Sequence, residues 1–261
     1  MTAKRYLRRM ISPVYRRLPS KLRQIIMWAR YSKRLSHAVL RSEPERVLWV
    51  LSYVEYTLGG HESYKCKLPV DRYRRPLPWY TYPAIEYLQQ YEFSKCDIFE
   101  FGSGNSSKFW SVRAQTLTSI EFDPHWYERG IQELSSTQTL LLRIEKEEYV
   151  HAIHNHESFY DVIVIDGKYR YNCAVEALKR IKSGGSIILD NTDWFPESAK
   201  LLRDDGFIQV DFIGAGPINS YAWCTSIFLK RQIDIPRLPT NKTVMVLGGL
   251  VQVSDDDKYT R

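Results

Sequence analysis

The sequence predicts an α/β fold, doubly wound, with helices on both faces of a mostly parallel sheet. Three observations point there. Short apolar strands alternate with helix patterns between residues 97 and 206, and that alternation requires crossover connections and a parallel sheet. One strand, Tyr160-Asp-Val-Ile-Val-Ile-Asp166, is almost wholly apolar, as a strand covered on both faces must be. The Gly102-Ser-Gly104 turn follows the strand 98–101 at once and opens a helix. That corner is where open α/β sheets bind ligands.

Ahead of this body lies a basic extension with helical patterning. The chain carries a net charge of +7, but residues 1–46 hold 13 Lys or Arg against 2 Glu, and the rest holds 24 basic against 28 acidic side chains. All the positive excess therefore sits in the arm. Its apolar residues recur at spacings near three and four, interrupted by Pro13 and Pro19. Such a segment suits peripheral contact with an anionic membrane, or an anionic glycan or nucleic acid. It equally suits packing of the apolar stripe on the body. No RNA-recognition signature accompanies the charge, so nucleic acid is the disfavoured partner.

A helix is expected over 45–58, with Val47, Leu48, Leu51, Val54 and Leu58 on one side and Gly59-Gly60 ending it. Residues 61–78 read as a polar loop near a substrate entrance. The next helix is expected over 79–88, with Pro83 at its first position. Tyr80, Thr81 and Tyr82 then read as core or lid more than as cofactor contacts. These signals divide the chain into an extension and entrance loop (1–75), a ligand-binding domain (76–232) and a tail (233–261).

Within the domain, Ser106 and Ser107 are suited to cap a helix beginning at Lys108. A second strand ends in Glu121, about twenty residues beyond Glu100, where such folds place a carboxylate on ribose hydroxyls. Asp123-Pro124 is a helix start. A third strand is expected over 140–144, before the acid-rich Glu145-Lys-Glu-Glu148. Ala174, Val175, Leu178 and Ile181 mark a helix closed by Ser183-Gly184-Gly185, and 186–191 a fifth strand. Pro196 opens a helix that Gly206 ends. The strands 207–213 and 223–229 are joined by a loop too short for a crossover helix, so they should run antiparallel. Residues 243–253 are expected to add an edge strand or hairpin.

Several function classes recede. Cys66, Cys96, Cys173 and Cys224 are widely spaced without a C-x-x-C pair, which predicts free thiols in a reducing compartment. No apolar run reaches the length of a membrane span, and basic residues interrupt the early apolar stretches, against a secretory signal. The expected location is cytoplasmic, with peripheral membrane contact through the arm. His151, His154 and His156 lack the spacing of a zinc motif.

Four acids fall at strand ends: Glu100, Glu121, Asp166 and Asp190, with Asn191 beside the last. A dinucleotide fingerprint would want glycine at position 107, where Ser107 stands, and an acidic strand end repels a pyrophosphate. The same acids suit a cofactor bearing an ammonium group and a sulfonium. The strings Phe-Glu-Phe-Gly-Ser-Gly-Asn-Ser-Ser, Ser-Ile-Glu-Phe-Asp, Val-Ile-Asp-Gly-Lys-Tyr-Arg and Ile-Leu-Asp-Asn-Thr-Asp, within 76–230, resemble those of bacterial class I S-adenosylmethionine (SAM) methyltransferases. That resemblance implies a seven-stranded, Rossmann-like methyltransferase fold and SAM as methyl donor. It puts Glu100, Gly102 and Gly104 in the methionine-side loop, Glu121 on the ribose and Asp166 beside the cofactor. Ser106 departs from it, standing where many relatives have a third glycine. Asp166 with Asp190-Asn191 also resembles the metal triad of catechol-type O-methyltransferases. This implies Mg²⁺ on Asp166, Asp190 and Asn191, with Lys168 as base and Arg170 fixing an anionic substrate. In the metal-free version Asp166 is the base or orienter.

The expected activity is methyl transfer to an oxygen, less readily a nitrogen, of a small molecule or glycan. No Asn-Pro-Pro-Tyr or Asp-Pro-Pro-Tyr motif is present, which argues against nucleobase amino-methylation. The alternatives are a nucleic-acid methyltransferase using the arm and a non-catalytic adaptor on the same fold. An NAD-linked oxidoreductase is disfavoured by Ser107.

Overall fold

The computed structural model describes residues 44–155 and 158–230. The basic arm up to residue 43, the tail with its expected strand at 243–253, and His156 lie outside the described residues. The chain divides into two compact units, 1–54 and 55–261. In the first, helix α1 (Pro44–Ser52) exposes Leu48, Trp49, Val50 and Leu51. A π-helical turn (Tyr53–Thr57) follows, so the helix expected over 45–58 is two pieces.

In the second unit Gly59 takes φ +89°, and a Cβ there would lie 2.5 Å from the Asp71 backbone. The glycine therefore marks a tight corner. Helix α2 (Gly60–Cys66) replaces the first part of the expected loop, held by a reciprocal pair of hydrogen bonds between Ser63 and Val70. The loop proper runs on from Lys67. Helix α3 (Tyr82–Leu88) starts later than expected, with Pro83 in its first turn. Tyr80, Thr81 and Tyr82 are buried, in keeping with their reading as core.

The sheet then begins. Strand β1 (Asp97–Phe101), helix α4 (Asn105–Ser111), β2 (Thr116–Glu121), α5 (Pro124–Ile131), β3 (Gln138–Leu142) and α6 (Lys146–His151) follow in order. After a short 3₁₀ turn come β4 (Tyr160–Ile165), α7 (Arg170–Ala177), β5 (Ile181–Leu189), α8 (Pro196–Asp204), β6 (Phe207–Gly214) and β7 (Trp223–Lys230). Among the described residues the seven strands form one sheet in the order β3-β2-β1-β4-β5-β7-β6. β1, β2, β3, β4 and β5 pair in parallel. β7 runs antiparallel to both β5 and β6, as the short connection requires. Ile98, Phe99, Phe101, Ile163, Val164 and Ile165 are fully buried, so the central strands are covered on both faces and drive the sheet's assembly. The strand order reverses between β1 and β4, the switch point at which a crevice opens beyond the carboxyl ends.

Local differences have local causes. α4 begins at Asn105, with Gly104 as its N-cap, so Ser106 and Ser107 lie inside the first turn. β3 spans Gln138–Leu142 instead of 140–144. Ser183-Gly184-Gly185, expected to close a helix, lies within β5. There the pairing jumps from Tyr160↔Ile181 to Val162↔Ser186, an irregularity that puts the extra residues of β5 outside the ladder. A Cβ on Gly185 would sit 2.9 Å from the Asp161 carbonyl, so the glycine is needed for close strand approach and does not stop a helix. The helix marked by Ala174 ends at Ala177, and Ile181 is a strand residue.

Candidate functional site

At the switch point lies a cleft of about 440 Å³, bordered by Gly102, Ser103, Gly104, Glu121, Asp166 and Asp190 among others. The structure thus brings together at one edge the strand-end residues singled out from sequence. Glu100 lies just beneath, fully buried.

Glu100 points from β1 under the glycine turn. Its Oε2 accepts the hydroxyls of Ser107 (2.5 Å) and Ser119 (2.7 Å). Its Oε1 has no partner among the described residues. Burial pushes this carboxyl up to about 7, against the opposing pull of the serine hydroxyls. A buried carboxylate with an open oxygen invites a cation.

The glycines divide their roles. Gly102 sits at φ +96°, where a Cβ would come within 2.9 Å of the Gly167 backbone. It therefore serves close packing of the loops after β1 and β4. Around Gly104 an added Cβ would meet nothing within 4 Å, so this is the glycine that faces open space. The loop's amides do not reach into the cleft as the turn alone suggests. Gly102 N–H donates to Ile120 O (2.8 Å), Ser103 N–H to Glu121 Oε2 (2.9 Å) and Gly104 N–H to Ser107 Oγ (3.1 Å).

Glu121, at the end of β2, is buried and ties the two loops together. Oε1 accepts the N–H groups of Phe122 and Asp123, both at 2.8 Å. Oε2 accepts the Ser103 N–H and, at 2.7 Å, the Ser103 hydroxyl. Three of these partners are fixed backbone amides, whereas the serine hydroxyl is a rotor. A ligand hydroxyl can reach Glu121 by replacing it.

Beyond β4 and β5 the acids meet Arg170. Its Nη2 donates to Asp166 O (2.8 Å) and Asp166 Oδ1 (3.1 Å). Its Nη1 donates to Asn191 Oδ1 (3.0 Å) and the Asp190 carbonyl, and its Nε to Gly167 O (3.0 Å). All five guanidinium hydrogens are thus engaged inside the protein. This corrects the reading of Arg170 as a clamp for an anionic substrate. It also takes up one oxygen each of two members of the expected Mg²⁺ triad. Asp166 Oδ1 and Asn191 Oδ1 face the guanidinium, while Asp190 Oδ1 accepts from Trp223 Nε1 (3.0 Å) and the Thr225 hydroxyl. Asn191 stands past the strand at φ +52°. Asp166 Oδ2 and Asp190 Oδ2 take no part in these bonds, so the two carboxylates keep one oxygen each for a cation while Asn191 Oδ1 is held by Arg170.

Asp190 is buried, and burial raises its carboxyl, with Asp166 pushing the same way. Asp166 keeps 21% of its side chain accessible, at the floor of the cleft. Burial raises it too, opposed by Arg170 and helped by Glu100. Lys168 is exposed, with its ammonium 3.4 Å from the centre of the Phe122 ring, a cation–π contact. His154, expected to be no zinc ligand, bonds Glu176 (2.7 Å) and Arg180 (2.7 Å).

Sequence reasoning missed the aromatic wall. Trp79, Trp126, Tyr149, Trp194, Tyr221 and Trp223 border the cleft, from loops, helices and the start of β7, which share no periodicity. Trp194 stacks on Tyr221 with ring centres 6.2 Å apart, and its Nε1 has no partner among the described residues. The adjacency of Trp194 to the Asp190-Asn191 string was the one available signal.

A seven-stranded sheet with one antiparallel strand is the architecture implied by the resemblance. The fold is the Rossmann-like methyltransferase fold. No protein-family model matches the chain, and no curated protein matches it by sequence. Among solved structures, the O-methyltransferase TomG from Streptomyces achromogenes, involved in tomaymycin synthesis and complexed with SAM, is 14% identical. That match covers 51% of this chain and 72% of the other, with a TM-score of 0.45. The precorrin-6y C5,15-methyltransferase from Geobacter metallireducens is 13% identical over 57% of this chain and 87% of the other, with a TM-score of 0.45. An rRNA methylase from Streptococcus thermophilus is 13% identical over 58% and 97%, with a TM-score of 0.41. No residue role below is taken from them.

Two outcomes are expected. Gly102→Ala should lower stability by about 1–3 kcal/mol, through a strained φ and the Gly167 contact, while Gly104→Ala should leave urea unfolding unchanged. Glu100 holds a proton in the folded chain between pH 4.5 and about 7 that the unfolded chain has released, so it lowers stability as pH rises through that window. The melting temperature of Glu100→Gln relative to the parent should therefore climb from pH 4.5 to 7.5. A constant difference would contradict the assignment.

Proposed function

We propose that this chain is a SAM-dependent methyltransferase acting on an oxygen, or less readily a nitrogen, of a small molecule or glycan. One observation carries the reading. The nucleotide corner has its loop amides already engaged and a buried carboxylate with an open oxygen beneath. The engaged amides of the turn make it a poor pyrophosphate cradle, and the carboxylates of Glu121 and Asp166 at the cleft, with Glu100 beneath, favour a cationic ligand. The comparison with SAM-bound TomG is consistent with this choice but does not make it.

On this reading Glu100 answers the cofactor's ammonium group, the open face of Gly104 admits its chain, and Glu121 takes a ribose hydroxyl in exchange for Ser103 Oγ. Bound SAM would supply a methyl group on a sulfonium sulfur, which leaves as a neutral thioether. The chain's own residues do the rest. Asp166 keeps an accessible edge and a raised carboxyl, so it suits accepting the acceptor's proton near neutral pH. Lys168 is turned to other use, its ammonium resting on the Phe122 ring. The aromatic wall keeps water out and offers ring faces to a planar or sugar-like acceptor, with Trp194 Nε1 as a donor to orient it. Alignment of reacting atoms in such a cleft can supply roughly 7–11 kcal/mol of the barrier.

The membrane contact of residues 1–46 is part of the proposal. It rests on their charge and spacing. Among the described residues no helix is long and apolar enough to cross a membrane.

Calorimetry with SAM tests the core of the reading. The folded protein should bind it, and Glu121→Ala should weaken binding by about tenfold or more, as loss of a charge-assisted bond does. Folded protein that binds no SAM would favour the adaptor alternative. Removing residues 1–46 should reduce sedimentation with anionic vesicles, and equal sedimentation would end the membrane assignment.

A further inference from the structure

We propose that helix α1 inserts into the surface of an anionic lipid bilayer, with the basic arm before it supplying the electrostatic attraction. The inference rests on the membrane part of the reading above. It adds the apolar element, residues 48–53, which lies outside the arm of residues 1–46.

The helix has the wrong surface for water. α1 reads Pro-Glu-Arg-Val-Leu-Trp-Val-Leu-Ser, with its two charges confined to the first turn. Leu48, Trp49, Val50 and Leu51 follow one another without interruption, and all four are exposed, Leu48 by 65% and Trp49 by 64%. Successive helix positions stand about 100° apart, so these side chains point all the way round the axis. A protein groove or a second copy of the chain covers one stripe of a helix. An apolar surface on every side calls for an apolar medium. At nine residues the helix is about 14 Å long, and a hydrocarbon core is about 30 Å thick. It therefore lies at the interface and does not span. Trp49 stacks on Tyr53 with ring centres 5.4 Å apart and planes inclined by 10°. Such amphipathic rings settle at headgroup depth.

The neighbouring charge makes the bilayer an anionic one. Residues 1–46 hold 13 Lys or Arg against 2 Glu and run straight into α1. Basic residues draw a chain to anionic headgroups, but salt screens that attraction. Burial of apolar side chains is not screened. One signal alone gives weak, reversible attachment, and two together hold. Attachment here should therefore have a salt-sensitive part from the arm and a salt-resistant part from Leu48, Trp49, Val50, Leu51 and Tyr53.

The test uses the full-length chain without SAM or acceptor, so its result is separate from the methyltransferase question. Co-sedimentation with vesicles of mixed phosphatidylcholine and phosphatidylglycerol is read at low salt and at about 1 M NaCl, where charges act over only about 3 Å. The parent should bind at low salt and keep a salt-resistant fraction. Trp49→Ser combined with Leu51→Ser, both at exposed positions, should lower high-salt partitioning by about tenfold or more and still bind at low salt through the arm. A parent released entirely by salt would overturn the insertion and leave the arm's contact standing, and so would a double variant that resists salt as the parent does. A parent that binds at neither salt would end both readings. Without vesicles, a parent that is dimeric by analytical ultracentrifugation and a double variant that is monomeric would assign the helix to a second copy and overturn the proposal as well.

Discussion

The site depends on one electrostatic arrangement: several carboxylates gathered at the ends of adjoining strands, with one buried guanidinium among them. Isolated buried charge is costly unless paired and hydrogen-bonded. Arg170 meets that condition for the loops after β4 and β5 by donating to side chains and carbonyls of both. Glu121 meets it differently, by collecting backbone amides from its own turn and from Ser103. Glu100 keeps one buried oxygen without a partner among the described residues. The hydrogen bonding is therefore complete around Glu121 and Arg170 and incomplete at one buried oxygen beneath the glycine turn.

Much of the fold was legible because buried strands write themselves as apolar runs. The strand at 160–165 and the pair 207–214 and 223–230 follow from composition and loop length alone. The switch-point turn was legible because glycine there has few rival explanations. Helix α2 was not, since Gly60–Cys66 is polar and short and is held by Ser63 through a tertiary bond to Val70. Gly184-Gly185 misled for a related reason. Two glycines after a helix pattern read as a stop, yet here they allow β5 to approach Asp161 around an irregular pairing.

The site was half legible. Sequence names the residues at strand ends because topology puts them on one edge, but it does not say which way each donor turns. Glycine-turn amides aimed inward and amides aimed at a ligand have the same spelling. So do an Asp-Asp-Asn set around a metal and one around an arginine four residues downstream. The difference lies in side-chain direction, which depends on Trp223 and Thr225 arriving from β7, more than thirty residues away in the chain. The aromatic wall shares this origin, assembled from loops, helices and a strand far apart in the chain.

One seam joins the halves of the cleft. Gly102 and Gly167 approach with bare backbones, close enough that a methyl group on either would collide, and Tyr149 closes the far side of Gly167. Tightly packed backbone transmits displacement instead of absorbing it. The turn after β1 and the turn after β4 are thus packed as one body. On the proposed reading, a load placed on one turn would be carried to the other through bare backbone.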